Sequence, residues 1–209
     1  MGILIRHVDI LLCPFWATTS SAALEGVLRS IAAQEGVHWR VIMVDGTRGA
    51  MAEEMAREIL PPARLEYDRP HVKGVQQGTL YWQAMLGANA RHIAYADART
   101  RTARSWRRDH LFMLTDLIKR GRGDFVFSGP IGFDGDPEAL ASEVAQRPIV
   151  PLGTVVHRAD VYGRLAHGWD RFAPGETEHR VWQEIALLRK PRVGFYHFGL
   201  ATAPRLVCA

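Results

Sequence analysis

Short apolar runs alternate along this chain with stretches whose apolar positions recur every three or four residues, the spacing that gathers them on one helix face. Ile3 to Cys13 reads as a strand ending at Pro14. Ser21 to Gln34 reads as a helix, with Leu24, Val27, Leu28 and Ile31 on its apolar face and Gly36 as its stop. A strand over His38 to Val44 follows, closed by Asp45-Gly46, and then a helix over Met51 to Ile59 that stops before Pro61-Pro62. Arg64 to Tyr67 is a short strand, Gly74 to Asn89 a helix, and Arg91 to Ala96 a strand ending at Asp97. One helix is expected from Arg104 to Arg120, with Trp106, His110, Met113, Leu114, Leu117 and Ile118 as its stripe and Gly121 as its cap. Asp124 to Ser128 and Ile149 to His157 read as strands, separated by a loop-like stretch from Pro130 to Arg147. Ala159 to Leu165 and Glu176 to Leu188 read as helices, and Val193 to Phe198 as a closing strand.

This alternation predicts an α/β fold, a mostly parallel mixed sheet flanked by helices. Ligands of such sheets sit at the carboxyl ends of the strands. Pro14-Phe15, Asp45-Gly46 and Asp97 therefore fall on one rim. At 209 residues and 47% hydrophobic, the chain is long and apolar enough for one domain, 1–209, and too apolar for intrinsic disorder. Its longest unbroken apolar stretch, Ile10 to Ala17, contains a proline and is far short of the about 20 residues that cross a bilayer. The N-terminus lacks a small-residue cleavage site, so no signal peptide is expected. Cys13 and Cys208 stand at opposite ends of the chain, outside any CxxC or zinc spacing. They read as two free thiols of a cytoplasmic protein.

The net charge is +4 and the isoelectric point about 9.4. Of 26 basic residues only Lys73, Lys119 and Lys190 are lysine. With so many alanines, that skew reads as a GC-rich coding sequence rather than a nucleic-acid surface, and no nucleic-acid partner is expected. A mild positive balance suits a small anionic ligand such as a nucleotide diphosphate.

The chain has no GxxxxGK[ST], HExxH, GxSxG or SxxK. Gly121-Arg122-Gly123 follows a helix and precedes a strand, which makes it a turn rather than a dinucleotide fingerprint. What stands out is an ordered constellation. Ser30-Ile31-Ala32-Ala33-Gln34 is followed by Trp39 and by Val44-Asp45-Gly46-Thr47-Arg48-Gly49. Tyr95-Ala96-Asp97-Ala98-Arg99 comes next, then Gly168-Trp169-Asp170-Arg171-Phe172, then Gly175-Glu176-Thr177-Glu178. In this order the blocks resemble the family 2 glycosyltransferases of GT-A fold, a Rossmann-like nucleotide-diphospho-sugar transferase domain. The resemblance runs from the first strand to the helix after Glu178.

That resemblance implies a nucleotide-binding half over about residues 1–100 and an acceptor and catalytic half over about 101–209. It implies transfer of a sugar, with inversion, from a nucleotide-sugar donor to a small or carrier-presented acceptor, as in bacterial secondary metabolism or glycan biosynthesis. Pro14 and Phe15 would edge the base pocket, and Asp45-Gly46 would meet the base or ribose; a turn aspartate is the plainer role for Asp45. Asp97 matches the first acid of the family's DxD motif, which usually holds a divalent ion. Its third position here is Arg99. Two readings stand side by side. Asp97 binds Mn²⁺ or Mg²⁺ with help from His197, or Arg99, with Arg101 and Arg104, does the ion's electrostatic work. The family's Glu-Asp pair reads Glu176-Thr177, which leaves Glu176, Glu178 and Asp170 as candidate general bases; acids at a helix start also act as caps. Trp169 would floor a sugar or fill the core, and Lys73 would touch phosphate or solvent. Trp16, Trp39, Trp82, Trp106 and Trp182 read as core.

The departures at Arg99 and Thr177 motivate a second reading, a catalytically impaired GT-A module that works as a binding or partner subunit, with another protein or a second copy. A nucleotidyltransferase is the third. It would want a glycine-rich basic loop after the first strand, where this chain reads Pro14-Phe15-Trp16-Ala17-Thr18-Thr19.

Overall fold

The computed structural model describes residues 6–70, 77–100, 105–128, 152–162, 193–196 and 201–202. Strands β1 (His7–Leu12), β2 (His38–Val44), β3 (Leu65–Asp68), β4 (His92–Ala96), β6 (Phe125–Ser128), β7 (Val155–Arg158) and β8 (Val193–Tyr196) form a seven-stranded sheet in the order β3-β2-β1-β4-β7-β6-β8. The first four are parallel, and β7 alone runs against its neighbours β4 and β6. The mixed, mostly parallel α/β sheet is the one the alternation predicts.

Burial follows strand geometry. Ile10 and Leu12 point to one face with Val41, Met43, Ala94 and Ala96, and there meet Leu24, Val27, Leu28 and Ile31 of α1 (Ser21–Ala32), Ala52 and Ala56 of α2 (Met51–Ile59), and Leu111, Leu114 and Ile118 of α4 (His110–Lys119). Leu11 and Cys13 point the other way, with Ile42, Val44, Ile93 and Tyr95, against Leu80, Tyr81 and Ala84 of α3 (Gln77–Gly87). A strand covered on both faces reads as a continuous apolar run, which is what Ile10 to Cys13 and Val41 to Val44 are.

One expected element is corrected. The helix expected from Arg104 does not include Ser105 and Trp106. Ser105–Trp106 is a short strand, β5, paired antiparallel with β9 (Ala201–Thr202), and α4 begins only at His110. Trp106 nevertheless stacks on His110 with ring centroids 4.7 Å apart, so the helical spacing reported a real contact across a strand-to-helix junction. The arginines before α4 consequently precede it rather than crowd its first turn: Arg107 pairs with Asp109 and Arg108 with Glu35, both on the surface. At the other end of α4, Gly121 adopts φ 70°, the left-handed conformation that a closing glycine supplies without strain.

Gln34, the last residue of the Ser-Ile-x-x-Gln block, joins two helices. Its Nε2 donates to the carbonyls of Ser30 (3.1 Å) and Arg107 (2.6 Å), and its Oε1 accepts from the Leu111 amide at 3.0 Å. Asp109 makes no side-chain cap on α4, so Gln34 serves as one from a distance. At the same end of the sheet, buried Asp9 accepts from Arg40 Nε (3.1 Å), Arg40 Nη2 (3.0 Å) and the amides of Asn89 (2.7 Å) and Ala90 (2.8 Å).

Candidate functional site

The chain runs out of β1 and back into the sheet through β2 on one side and β4 on the other. β1 registers Leu12 against both Met43 and Ala96, so the residues after these three strands emerge together. This is the switch point of the sheet, where a crevice opens beyond the carboxyl ends.

Pro14-Phe15 and Asp45-Gly46 are stitched side by side. The Gly46 amide donates to the Pro14 carbonyl at 2.9 Å, and the Trp16 amide to the Gly46 carbonyl at 3.2 Å. A Cβ on Gly46 would stand 2.6 Å from Leu80 Cδ1 and 3.0 Å from Phe15 Cδ2, so the residue is glycine because backbone meets side chain there without room for a methyl group.

Asp45 is buried and has four donors. Oδ1 accepts from the Thr47 amide (2.7 Å) and Thr47 hydroxyl (2.6 Å), and Oδ2 from the Tyr67 hydroxyl (2.6 Å) and Arg69 Nη2. Burial raises its pKa, but the hydrogen bonds from Thr47, Tyr67 and Arg69 outweigh that and hold the carboxyl below its ordinary range. Tyr67 moves the opposite way: burial, then the bond to Asp45, pushes its phenol well up. The residue is thus a turn aspartate and an anchor for the end of β3 at once. Neither Tyr67, expected only as the end of a short strand, nor Arg69 is a site residue that the sequence points to. The signal for them is their position at the end of the next parallel strand, where Val44 registers with Asp68.

Asp97 is fully buried and held by a single residue. Arg99 donates its amide (3.0 Å) and Nε (2.8 Å) to Oδ1 and its Nη2 (2.6 Å) to Oδ2. Each rim carboxylate therefore carries its own guanidinium, Arg69 on Asp45 and Arg99 on Asp97. A divalent ion asks for several oxygen ligands. Here both Asp97 oxygens are taken, and no group of three His, Cys, Asp or Glu side chains gathers among the described residues. The described residues do not fit a Mn²⁺ or Mg²⁺ site at Asp97.

Between the loop after β1 and the segment after β4 lies an open cavity of about 500 Å³, lined by Trp16, Ala17, Thr18, Thr19, Ser20, Arg99 and Thr100. Its two walls are tied by the Thr100 amide, which donates to the Thr18 carbonyl at 2.7 Å, and by a bridge between Thr19 and Arg99. Thr19 Oγ1 accepts from the Phe15 amide and Ser20 Oγ from the Ala23 amide, which caps α1. The Thr18 hydroxyl is buried with no hydrogen-bond partner. Trp16, expected in the core, is 53% exposed at the mouth, with the Arg48 guanidinium 4.4 Å from its ring centroid.

The architecture now has counterparts. Residues 1–349 of TarS from S. aureus superpose with a TM-score of 0.70 at 14% identity, over 95% of this chain and 60% of that one. The same protein in complex with UDP-GlcNAc gives 0.67 at 15% identity, over 95% and 58%. The mannosyltransferase PcManGT from Pyrobaculum calidifontis, in complex with GDP-Man and Mn²⁺, gives 0.71 at 14% identity, over 97% and 59%. The fold is that of GT-A-type glycosyltransferases. This chain spans about 60% of the length of these GT-A neighbours. No family model and no curated sequence matches it.

Of the residues singled out in the sequence, the rim brings together Pro14, Phe15, Asp45, Gly46, Asp97 and Arg99. Lys73, Trp169, Asp170, Glu176, Glu178 and His197 lie outside the described residues, as do Arg101 and Arg104. No helix among the described residues is long and apolar enough to cross a membrane.

Proposed function

We propose that this protein is a glycosyltransferase that takes a sugar from a nucleotide diphosphate donor. The observation that carries the reading is the convergence of Pro14-Phe15, Asp45-Gly46 and Asp97-Arg99 at the switch point of a GT-A sheet. Its support from likeness is that TarS is described with UDP-GlcNAc and PcManGT with GDP-Man. In this reading the first half of the chain, about 1–100, holds the nucleotide and the second half, about 101–209, brings the acceptor and the base.

The reaction we assign is a single displacement. The acceptor oxygen bonds the anomeric carbon as the bond from that carbon to the diphosphate oxygen breaks, with inversion. The acceptor proton passes to a carboxylate, for which Glu176 is the first candidate and Glu178 and Asp170 the alternatives. Charge accumulates on the leaving diphosphate, and a positively charged group near Asp97 would stabilise it. Trp169 would floor a sugar ring and Lys73 would meet phosphate.

A second reading has its own observation. Arg99 neutralises the acid on which the resemblance to the DxD motif rests, and a module altered in this way would bind a nucleotide or glycan without turnover. A thermal-shift panel of UDP, GDP, dTDP, CDP and ADP, each with Mn²⁺, Mg²⁺ or EDTA, separates the readings when paired with sugar-nucleotide consumption. The transferase reading expects one base to raise the melting temperature and its sugar nucleotide to be consumed, with loss of turnover in Glu176→Ala. A shift without turnover on any acceptor favours the binding module. No shift from any nucleotide sinks the transferase reading and leaves the binding module, whose ligand is then sought among glycans and partner proteins.

A further inference from the structure

We propose that His7 and His38 chelate a divalent transition-metal ion at the amino end of the sheet, where the ion clamps β1 to β2. The two histidines are the first residues of these parallel strands and are partners in register. Register partners on strands about 4.8 Å apart carry their side chains on the same face. Here the ring centroids are 4.8 Å apart and the ring planes are inclined by 57°, so the rings meet without stacking flat. Both residues are exposed, whereas His92, His110 and His157 are buried. Among the described residues neither ring of the pair makes a hydrogen bond or an ion pair. The pair therefore offers an incoming ion two imidazoles within chelating reach of each other.

The backbone that carries the pair is held from several sides. The His38 amide donates to the Arg6 carbonyl at 2.8 Å. Arg6 is tied in turn to α4, through the Phe112 carbonyl at 3.0 Å and Asp116 Oδ1 at 2.6 Å. His92 Nδ1 stands 3.2 Å from the His7 carbonyl. Two positions further along the same face, Asp9 and Arg40 bind each other and keep β1 in register with β2. An arriving ion has only side-chain rotations left to order, and a site arranged in advance binds more tightly for that reason. The donor set selects the ion. Imidazole nitrogen suits Cu²⁺, Ni²⁺ and Zn²⁺, with Cu²⁺ held tightest, whereas Mg²⁺ prefers oxygen. No third His, Cys, Asp or Glu joins the pair among the described residues, so water completes the coordination. The site lies at the opposite end of β1 from the rim, which makes it a clamp on the sheet and not a part of the nucleotide reading above. An ion held by both strands stabilises the folded chain, because an unfolded chain does not keep the two imidazoles together.

The test uses the full chain at pH 7.5 and has two arms. In the first, Cu²⁺ alone is titrated and followed by electron paramagnetic resonance. The wild type is expected to hold the ion with nitrogen hyperfine structure from both imidazoles, and His7→Asn and His38→Asn are each expected to weaken that binding by about tenfold or more. Equal affinity in the wild type and both variants overturns the proposal. So does a loss confined to one variant, which describes a single histidine and not a chelate. No binding by the wild type at about 100 μM Cu²⁺ overturns it as well. In the second arm, melting is followed with and without Ni²⁺. The wild type is expected to gain several degrees at saturating Ni²⁺ and neither variant to gain any; an equal gain in all three overturns the clamp. Should a variant be unstable without metal, the wild type alone decides. Ni²⁺ is then expected to protect both His7 and His38 from diethyl pyrocarbonate, as located by peptide mass, and equal modification with and without the ion overturns the proposal.

Discussion

The hydroxyl of Tyr95 stands 2.9 Å from Nε2 of His157 in the middle of the sheet, where β4 meets its antiparallel neighbour β7. Nδ1 of the same ring is 2.8 Å from the Arg158 carbonyl, which can only accept, so Nδ1 carries the proton and Nε2 receives the tyrosine's. The ring is neutral. Burial pushes its pKa down to about 4.

That pair makes stability depend on pH in a definite direction. The unfolded chain protonates His157 near its ordinary value of about 6.5, the folded chain only near 4. Between those values the unfolded state binds more protons, so the contribution is complete above about pH 6.5 and is lost as pH falls toward 4. The loss amounts to about 3 kcal/mol. His92, lowered by burial as well, acts in the same direction. Urea unfolding at pH 7.5 and pH 5 should show the drop, and His157→Phe should flatten it. Tyr95→Phe should cost about 0.5–1.5 kcal/mol at pH 7.5, for the hydrogen bond to His157 that it removes.

Gly46→Ala should strain the rim, because its methyl group would meet Leu80 Cδ1 at 2.6 Å. We expect a loss of about 1–3 kcal/mol and weaker nucleotide binding, since Phe15 is the second neighbour to be pushed. Leu80→Val removes the obstructing carbon. In a double-mutant cycle of chemical denaturation the two changes should therefore couple favourably. Strict additivity would mean that the crowding is relieved elsewhere.

Gln34→Ala should leave the Leu111 amide without its acceptor and the Arg107 carbonyl without its donor. A cost of about 2 kcal/mol is expected, with hydrogen exchange accelerated in the first turn of α4 rather than at the rim. Weakened nucleotide binding at unchanged stability would contradict the structural role.

Cys13 is 3% exposed, and burial raises its thiol pKa well above the ordinary value. In a Cys208→Ala background the native protein should not react with a thiol reagent within minutes at pH 8. One equivalent should react after unfolding.

The elements that sequence reveals best are those whose signals are local. His38 to Val44 and Met51 to Ile59 come out with their observed ends, because an apolar run and a helical stripe are each bounded by turn residues. Trp106 is misread because its strand exists only through a partner almost a hundred positions away, Ala201, which leaves no trace in the neighbouring residues. The same contrast holds at the rim. Asp45 and Asp97 are legible as residues that end parallel strands. Their arginines are legible unequally: Arg99 sits two positions from its acid, whereas Arg69 reaches Asp45 only because β3 lies alongside β2. Pattern shows where a carboxylate emerges; packing decides what holds it.

The strand order also dictates a sequence of events during synthesis. β3, β2, β1 and β4 are contiguous in the sheet and are complete once residue 96 has left the ribosome. β6 follows soon after in the chain, yet among the described strands it pairs only with β7 and β8, both translated later. A nascent chain that ends before residue 155 thus holds four paired strands with β4 as an open edge, and β6 has no place to dock. The half of the molecule that carries the rim can form early, and the edge of β4 then stays exposed to foreign strands until β7 arrives to cover it.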